Sequence, residues 1–454
     1  MNDKQVTFDD LVSLSKRRGI AFPSSDIYGG IQSTWDYGYL GTEMKRNIRE
    51  LWWKNVVQKR DNVFGIEAAI ITNPSVWEAS GHVSNFTDPL VDCLECNGRF
   101  RADHIVDDVC PECRVKTKFT DERNFNLLFK TYVGPVEDDA NIAYLRPETA
   151  QGMFVNFTNY QNTIRRKIPF GIAQIGKSFR NEITPGQFIF RTREFEQMEM
   201  EFFCAPEESK KFHEYWKKER MDWYINELQI PESKLRLRDH EKDELAHYSD
   251  ATADIEFNFP WGWGELEGIA HRGDFDLSAH ATGSGKKITA LNIENNEHFI
   301  PHVIEPAVGV DRILFAILCA SYNEEQLEDG ESRILLRLPE SIAPIQIAVL
   351  PLSKKDELTP IARNIVEDLR ENFRVEYDET QSIGKRYRRQ DEIGTPYCVT
   401  CDFDSLDDQA VTVRFRDSME QERIKISELK NYFNLKMNTN DKKVILLHPY
   451  IIMV

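Results

Sequence analysis

The residues best equipped for chemistry fall in one stretch, Lys177 to Phe203, KSFRNEITPGQFIFRTREFEQMEMEFF. It reads as two long strands joined by a tight turn at Thr184-Pro185-Gly186. Alternation then puts Ser178, Arg180 and Glu182 on one face of the outgoing strand. On the return strand Arg191, Arg193, Phe195, Gln197, Glu199 and Glu201 share a face, while Phe190, Thr192, Met198, Met200 and Phe202 point the other way. One side is mostly core. The other is a row of guanidiniums, carboxylates and one ring, which suits a nucleotide. Arginines hold phosphate oxygens by charge-assisted bonds, a ring stacks on a base, and carboxylates accept from amino groups. A half-solvated sheet with charges facing water would show the same alternation.

Two further clusters carry chemistry. Cys93-x2-Cys96 and Cys110-x2-Cys113 are separated by thirteen residues, within reach of one tetrahedral ion. Four thiolates leave a zinc ion no open position, so such a site is structural; free thiols are the alternative. Near the C-terminus, Lys385, Arg386, Arg388 and Arg389 surround Tyr387, a mixture that suits RNA phosphates and bases, or a solvated helix start.

The elements that must position these groups are legible in outline. Residues 7–19 predict a short amphipathic helix ending at Gly19, and Glu43 to Asp61 a strong helix with Met44, Ile48, Leu51, Trp52 and Val56 on one face. A strand, GIEAAIIT, and Asn73-Pro74 follow. Residues 83–140 form an insertion holding the cysteines. Phe154 to Ile168 reads as a helix. The charged segment 206–245 reads as a solvated helical insertion. Ala251 to Phe259 is a strand, WGWGELEG at 261–268 a glycine-rich approach to another, and Glu305 to Cys319 a loop turning into an apolar helix. Residues 321–333 read as an acidic linker. From Pro344 onward strands and helices alternate: a strand at Ile345–Leu350, a helix at Leu358–Asn372 and a strand at Phe373–Tyr377, as in an α/β domain.

With 454 residues, two or three domains are expected, and 27 phenylalanines are enough for sizeable cores. No apolar run reaches membrane-span length, and the charged N-terminus lacks the apolar core of a signal peptide, so a cytoplasmic location is expected. A net charge of −18 argues against nonspecific coating of nucleic acid, and no DNA partner is expected.

FRNE, a loop and RTREF resemble motif 2 of the class II aminoacyl-tRNA synthetases, and the extension REFEQMEMEFF resembles the glycyl-tRNA synthetases among them. The resemblance covers nearly the whole chain in order. The helix, strand and proline before VWEASGH are similar to motif 1, the dimer interface; then come RPETAQG, motif 2, WGELEG, and EPAVGVDR as motif 3. It implies an α+β fold: an antiparallel catalytic sheet flanked by helices (1–335) with a zinc-ribbon-like insertion, and a C-terminal α/β anticodon-binding domain (340–454). It implies a homodimer that uses ATP and Mg²⁺, with one zinc ion, to join glycine to its tRNA through a glycyl-adenylate.

On that reading Arg180 meets the α-phosphate and the substrate carboxylate, a bidentate task that suits guanidinium better than ammonium. Phe195 lies under adenine, Glu182 accepts from the adenine amino group, and Arg191 or Arg193 reaches the outer phosphates. Arg312, at a helix start, adds a charge to backbone amides aimed at phosphate; a salt bridge to Asp311 or a nearby acid is its alternative role. Glu265 is the candidate magnesium ligand. The full set expected around ATP is Arg180, Asn181, Glu182, Phe190, Arg191, Thr192, Arg193, Glu194, Phe195, Glu265, Leu266, Gly309, Val310, Asp311 and Arg312. The resemblance implies that Glu148, Glu199 and Glu305 bind the glycine ammonium and that Arg101 lies on its carboxylate side. Phe195, Glu196, Gln197, Met198, Pro306, Ala307, Val308 and Gly309 complete that pocket. Ala307 departs from a serine often found in the phrase EPSxG. No catalytic Ser, Cys or His is expected; His82, His104, His247, His271 and His280 are given structural or tRNA-contact roles. A synthetase for threonine, proline, histidine or serine, and a non-catalytic relative, are the alternatives.

Overall fold

The computed structural model describes residues 6–183, 186–246, 248–292, 296–327 and 330–445; Thr184, Pro185 and His247 lie outside the described residues. Helix α1 (Phe8–Arg18) begins where Thr7 and Asp10 cap each other reciprocally, and ends at Gly19, whose φ of 66° favours glycine. Helix α2 (Tyr39–Trp53) buries Met44, Ile48 and Trp52 along one stripe and continues as a π-helical turn, Lys54–Gln58.

A seven-stranded sheet forms the body of the molecule. In chain order its strands are β1 (Val63–Gly65), β2 (Phe170–Phe179), β3 (Glu194–Cys204), β4 (Leu235–Asp239), β5 (Ala251–Phe259), β6 (Gly262–Gly273) and β7 (His302–Gly309). Their spatial order is β4-β5-β6-β7-β3-β2-β1, antiparallel throughout except for the β1–β2 pair. Side chains alternate across it. Met198, Met200, Ile269, Ile304 and Val308 enter the main core with α2 and with helix α4 (Val310–Ser321), which is apolar almost all round.

Several expectations are corrected here. The two strands of motif 2 pair antiparallel as expected, but not across a tight connection: β2 stops at Phe179, β3 starts at Glu194, and a 3₁₀ turn at Phe188–Phe190 lies between them, while the turn expected at Thr184-Pro185 lies outside the described residues. The predicted strand 65–72 is limited to Val63–Gly65 and an isolated bridge from Ile71 to Leu145. The segment 206–245 is not a solvated insertion. Helix α3 (Ser209–Asn226) buries His213, Trp216, Arg220 and Trp223, spaced three or four apart, with Tyr224 beside them, and β4 extends the catalytic sheet. Glu305 stands on β7 rather than in a loop. The acidic linker is a hairpin of β8 (Tyr322–Gln326) and β9 (Ser332–Leu336).

The cysteine insertion carries a three-stranded sheet, with Thr87–Asp92 between Arg99–Arg101 and Arg123–Asn126. The C-terminal unit is a five-stranded sheet: β10 (Ile347–Pro351), β11 (Val375–Tyr377), β12 (Tyr397–Cys401), β13 (Ala410–Phe415) and β14 (Gln421–Lys425). Its spatial order is β11-β10-β12-β13-β14. Helices α5 (Thr359–Arg370) and α6 (Ile383–Ile393) cross it. The junction near residue 340 is packed. Leu336, Leu338, Ile342 and Ile393 belong to the catalytic core, and the buried Arg333 pairs with Asp391 at 2.8 Å, which also holds Arg414 at 2.9 Å.

Candidate active site

The opposite face of the sheet opens into a cleft of about 300 Å³. Register builds it: Glu199 on β3 lies opposite Ala307 on β7, and Ala307 lies opposite Gly268 on β6. Alternation therefore collects Phe195, Gln197 and Glu199 from β3, Glu305, Ala307 and Gly309 from β7, and Gly268 and Ala270 from β6 on one wall. Arg180, Glu182, Phe190, Arg191, Thr192, Glu265, Leu266, Val308, Asp311 and Arg312 also line it, as do Glu148, Tyr248 and Asp254.

One end is cationic and aromatic. Arg180 donates from Nε to the Pro147 carbonyl at 3.0 Å, and its guanidinium stands 5.4 Å from the Phe195 ring centre. Arg312 donates from Nε to the Phe190 carbonyl at 3.2 Å and pairs with Glu265 at 3.1 Å. That pairing holds the Glu265 carboxyl below the usual carboxylate range. The acid beside Arg312 is thus Glu265 and not Asp311, which is taken by Lys45 at 2.6 Å and by the Tyr37 hydroxyl. Arg191 faces the cleft, 3.9 Å from Glu182. Arg193 turns away: it donates to the Gln32 carbonyl at 2.7 Å and to the Glu182 carbonyl at 3.2 Å.

The other end is a buried nest of acids. Glu148, Glu199, Glu201 and Glu305 are all buried. Burial opposes ionisation of Glu148, but His82 at 3.5 Å, Arg272 and Gln151 outweigh it and hold that carboxyl low. Burial and the neighbouring Glu305 and Glu148 push Glu199 up to about 8. Glu305 is pushed up to about 7 by burial against the pull of Arg272, and burial beside Glu305 and Glu199 raises Glu201 well above the carboxylate range. The carboxyls of the nest outnumber the one guanidinium among them, that of Arg272, which leaves room for a further positive charge.

The sequence reading missed the residue that organises this nest. Arg272, on β6 and almost fully buried, donates to Glu305 at 2.7 Å and forks onto Asp276 at 2.7 and 2.9 Å. Thr149 was missed too; its amide donates to Glu199 at 3.0 Å and its hydroxyl bonds the same oxygen. The available signal for Arg272 was a lone arginine in the strand GIAHRG, and for Thr149 its place inside RPETAQG.

Other expected residues stand elsewhere. Arg101 is not on the cleft wall; Asp88 at 3.0 Å and Asp103 at 2.7 Å neutralise its guanidinium. Glu196 points to the opposite face, bound to Arg49 at 2.9 Å, and Met198 is in the core there. Glu194 is exposed and pairs with Lys177 at 2.8 Å. Asn181 donates its amide to the Leu127 carbonyl at 2.8 Å, outside the wall; Pro306 and Val310 also lie off it. In α6, Arg386 is buried and donates to the Pro351, Leu352 and Asp378 carbonyls, so it is a structural residue and not a surface contact. Arg389 is held by Asp378 and Thr380, while Lys385 is exposed and Arg388 half-buried.

The four cysteine sulfurs converge. Cys93 and Cys113 Sγ are 3.9 Å apart, and Cys96 and Cys110 Sγ 3.7 Å. Zinc–sulfur bonds of about 2.3 Å in a tetrahedron require sulfurs about 3.8 Å apart, so this donor set fits zinc.

Residues 132–321 match the class II tRNA synthetase core domain (G, H, P, S and T), and residues 346–435 match an anticodon binding domain. The chain is 54% identical to glycine–tRNA ligase of Lysinibacillus sphaericus, over 94% of this chain and 98% of that one. It is 53% identical to that of Geobacillus thermodenitrificans, over 96% and 99%. Its fold is similar to a prolyl-tRNA synthetase from Cryptosporidium parvum complexed with halofuginone and AMPPNP: TM-score 0.67, 16% identity, 98% of this chain and 80% of that one. The cleft with its cationic and acidic ends therefore sits in a chain that belongs to the glycine–tRNA ligase family of class II aminoacyl-tRNA synthetases.

Proposed function

We propose that this chain activates glycine with ATP and transfers it to the 3′ end of its tRNA, releasing pyrophosphate and then AMP. The observation that carries the reading is the charge deficit of the acidic nest, at the end of a cleft whose other end presents Arg180 and Arg312. The glycine ammonium supplies the missing positive charge against Glu148, Glu199 and Glu305, and Arg272 keeps Glu305 oriented. A glycine carboxylate oxygen attacks the α-phosphorus and the bond to pyrophosphate breaks. Arg180 meets the charge that grows on the α-phosphate. Phe195 carries adenine, Arg191 and Arg312 take the outer phosphates, and Glu265 is the residue that would hold Mg²⁺, which neutralises phosphate charge when bound. The terminal ribose hydroxyl of tRNA then attacks the carbonyl carbon and AMP leaves, so no side-chain nucleophile is needed.

Rejection of larger amino acids rests on steric exclusion at the strand wall that carries Ala307, because one methyl is worth only about 1–3 kcal/mol in binding. The cysteine set holds one structural zinc, Lys385 and Arg388 contact tRNA, α2 and the segment after it form a homodimer interface, and the protein works in the cytoplasm. Among the described residues no helix is long and apolar enough to cross a membrane. Amino-acid-dependent ATP–pyrophosphate exchange across the common amino acids tests the reading. Exchange with glycine alone is expected; a preference for serine, threonine or proline would overturn it.

A further inference from the structure

Behind the catalytic sheet, at one end of three neighbouring strands, Asp250, His271 and His302 turn their side chains toward one point. Asp250 immediately precedes β5, His271 is near the end of β6, and His302 begins β7. One nitrogen from each ring and one carboxylate oxygen lie within 4.8 Å of one another. Nothing in the amino-acid activation chemistry uses them.

We propose that these three residues form a binding site for a borderline divalent transition-metal ion of the zinc type, separate from the four-cysteine cluster. Imidazole nitrogen and carboxylate oxygen are the donors that suit such ions. His271 Nδ1 stands 3.4 Å from Asp250 Oδ2, too long for a good hydrogen bond. It is close to the spacing of about 3.3 Å between two donors on a tetrahedral ion with bonds of about 2.0 Å. His302 Nδ1 is buried with no hydrogen-bond partner among the described residues, an arrangement that is costly unless something is bound there. His213, the next ring along, is already committed to the Ile269 carbonyl at 2.9 Å and is not a ligand.

The backbone is shaped around the cluster. The β6–β7 register slips between His271 and Gly273, an irregularity of the β-bulge kind, which bends a strand locally. Gly273 has a φ of 57°, and a Cβ on it would lie 2.9 Å from Asp250 Oδ2, so glycine leaves the room that the carboxylate occupies. The Asp250 amide donates to the His271 carbonyl at 2.8 Å, fixing the two ligands relative to each other. Asp250 is exposed and gives the ion a way in. Three protein donors leave at least one position for water. An ion here would tie together the ends of β5, β6 and β7, one residue from Arg272 and three from Glu305.

Titration of the metal-free full-length protein with Co²⁺ separates this site from the cysteines by colour. Cobalt on thiolates gives intense sulfur-to-metal charge-transfer absorption in the near ultraviolet; cobalt on two imidazoles and a carboxylate gives only weaker visible bands. The expected result is one equivalent of the second kind, kept in Cys110→Ser and lost in both Asp250→Asn and His302→Ala. Asp250→Asn removes an exposed ligand without disturbing the core, so its loss of binding cannot be ascribed to misfolding; circular dichroism of both variants checks this. Absence of the second spectrum in the parent protein, or its survival in both variants, would overturn the site.

Discussion

Acidification should weaken glycine binding far more than ATP binding. The ammonium of glycine needs ionised carboxylates, yet Glu199 and Glu305 hold their protons up to about 8 and about 7 in the empty pocket. The proton must leave before or as glycine binds, so the glycine KM falls as pH rises, while the ligand ammonium keeps its charge over the same range. If Glu199 alone governs binding, its ionised fraction grows about 25-fold between about pH 6.5 and about pH 8.5; if Glu305 alone governs, about 4-fold. Pyrophosphate exchange at saturating ATP measures this directly, with the ATP KM as the internal control. Calorimetry in buffers of different ionisation enthalpy counts the proton released. Glu199→Gln keeps an acceptor for the Thr149 amide but cannot titrate, so its glycine KM should be higher and its pH dependence flatter. A glycine KM that does not change with pH in the parent, or one that changes as steeply in Glu199→Gln and Glu305→Gln, would refute the charge-deficit account.

Other consequences are open to measurement. Native Glu199, Glu201 and Glu305 bind protons that the unfolded chain releases near pH 4.5, so the melting temperature of the unliganded protein should fall as pH rises from about 5 to about 8; glycine should reduce that slope. Arg180→Ala should lower the exchange rate by about 10²–10³ with little change in ATP affinity, and a near-normal rate would end its assignment. Arg220 and Glu267 form a fully buried pair at 2.6 Å, so Arg220→Ala should destabilise the fold by about 3–5 kcal/mol in urea unfolding. Lys385→Ala with Arg388→Ala should raise the tRNA requirement in charging assays and leave exchange intact, whereas Arg386→Ala should lower the melting temperature instead. Metal analysis should find zinc on the cysteines, lost in Cys110→Ser.

What the sequence disclosed was whatever alternation or a dense motif carries by itself. The strand at Ala251–Phe259 ends where its apolar pattern ends, and the alternation in REFEQMEMEFF sent Phe195, Gln197 and Glu199 to the cleft. What it hid depends on neighbours distant in the chain. Arg272 matters because β7 brings Glu305 beside it, a pairing that no local window contains. Helix α3 was misjudged because its lysines and glutamates outnumber the Trp216–Arg220–Trp223 stripe that docks it. Arg386 and Arg101 look like ligands in a list of charges, yet each spends its hydrogen bonds on its own surroundings: carbonyls for Arg386, aspartates for Arg101. The two motif 2 strands pair as read, but they are shorter than expected because Phe188 and Ile189 are buried in a 3₁₀ turn where strand had been expected.

The pairing of β3 with β7 has a consequence for how the protein matures. Glu199 meets Ala307 only after α3, β4, β5 and β6 have been made and have found their places. Closing so long a loop is slow, because its entropy must be lost before any contact repays it. On the ribosome the acids of β3 therefore emerge well before the strand that completes their pocket, and an incomplete chain holds Glu199 and Glu201 without Glu305 beside them. Competence to recognise the amino acid is thus among the last properties the chain acquires, and capture of glycine by arrested nascent chains should switch on only once β7 has cleared the exit tunnel.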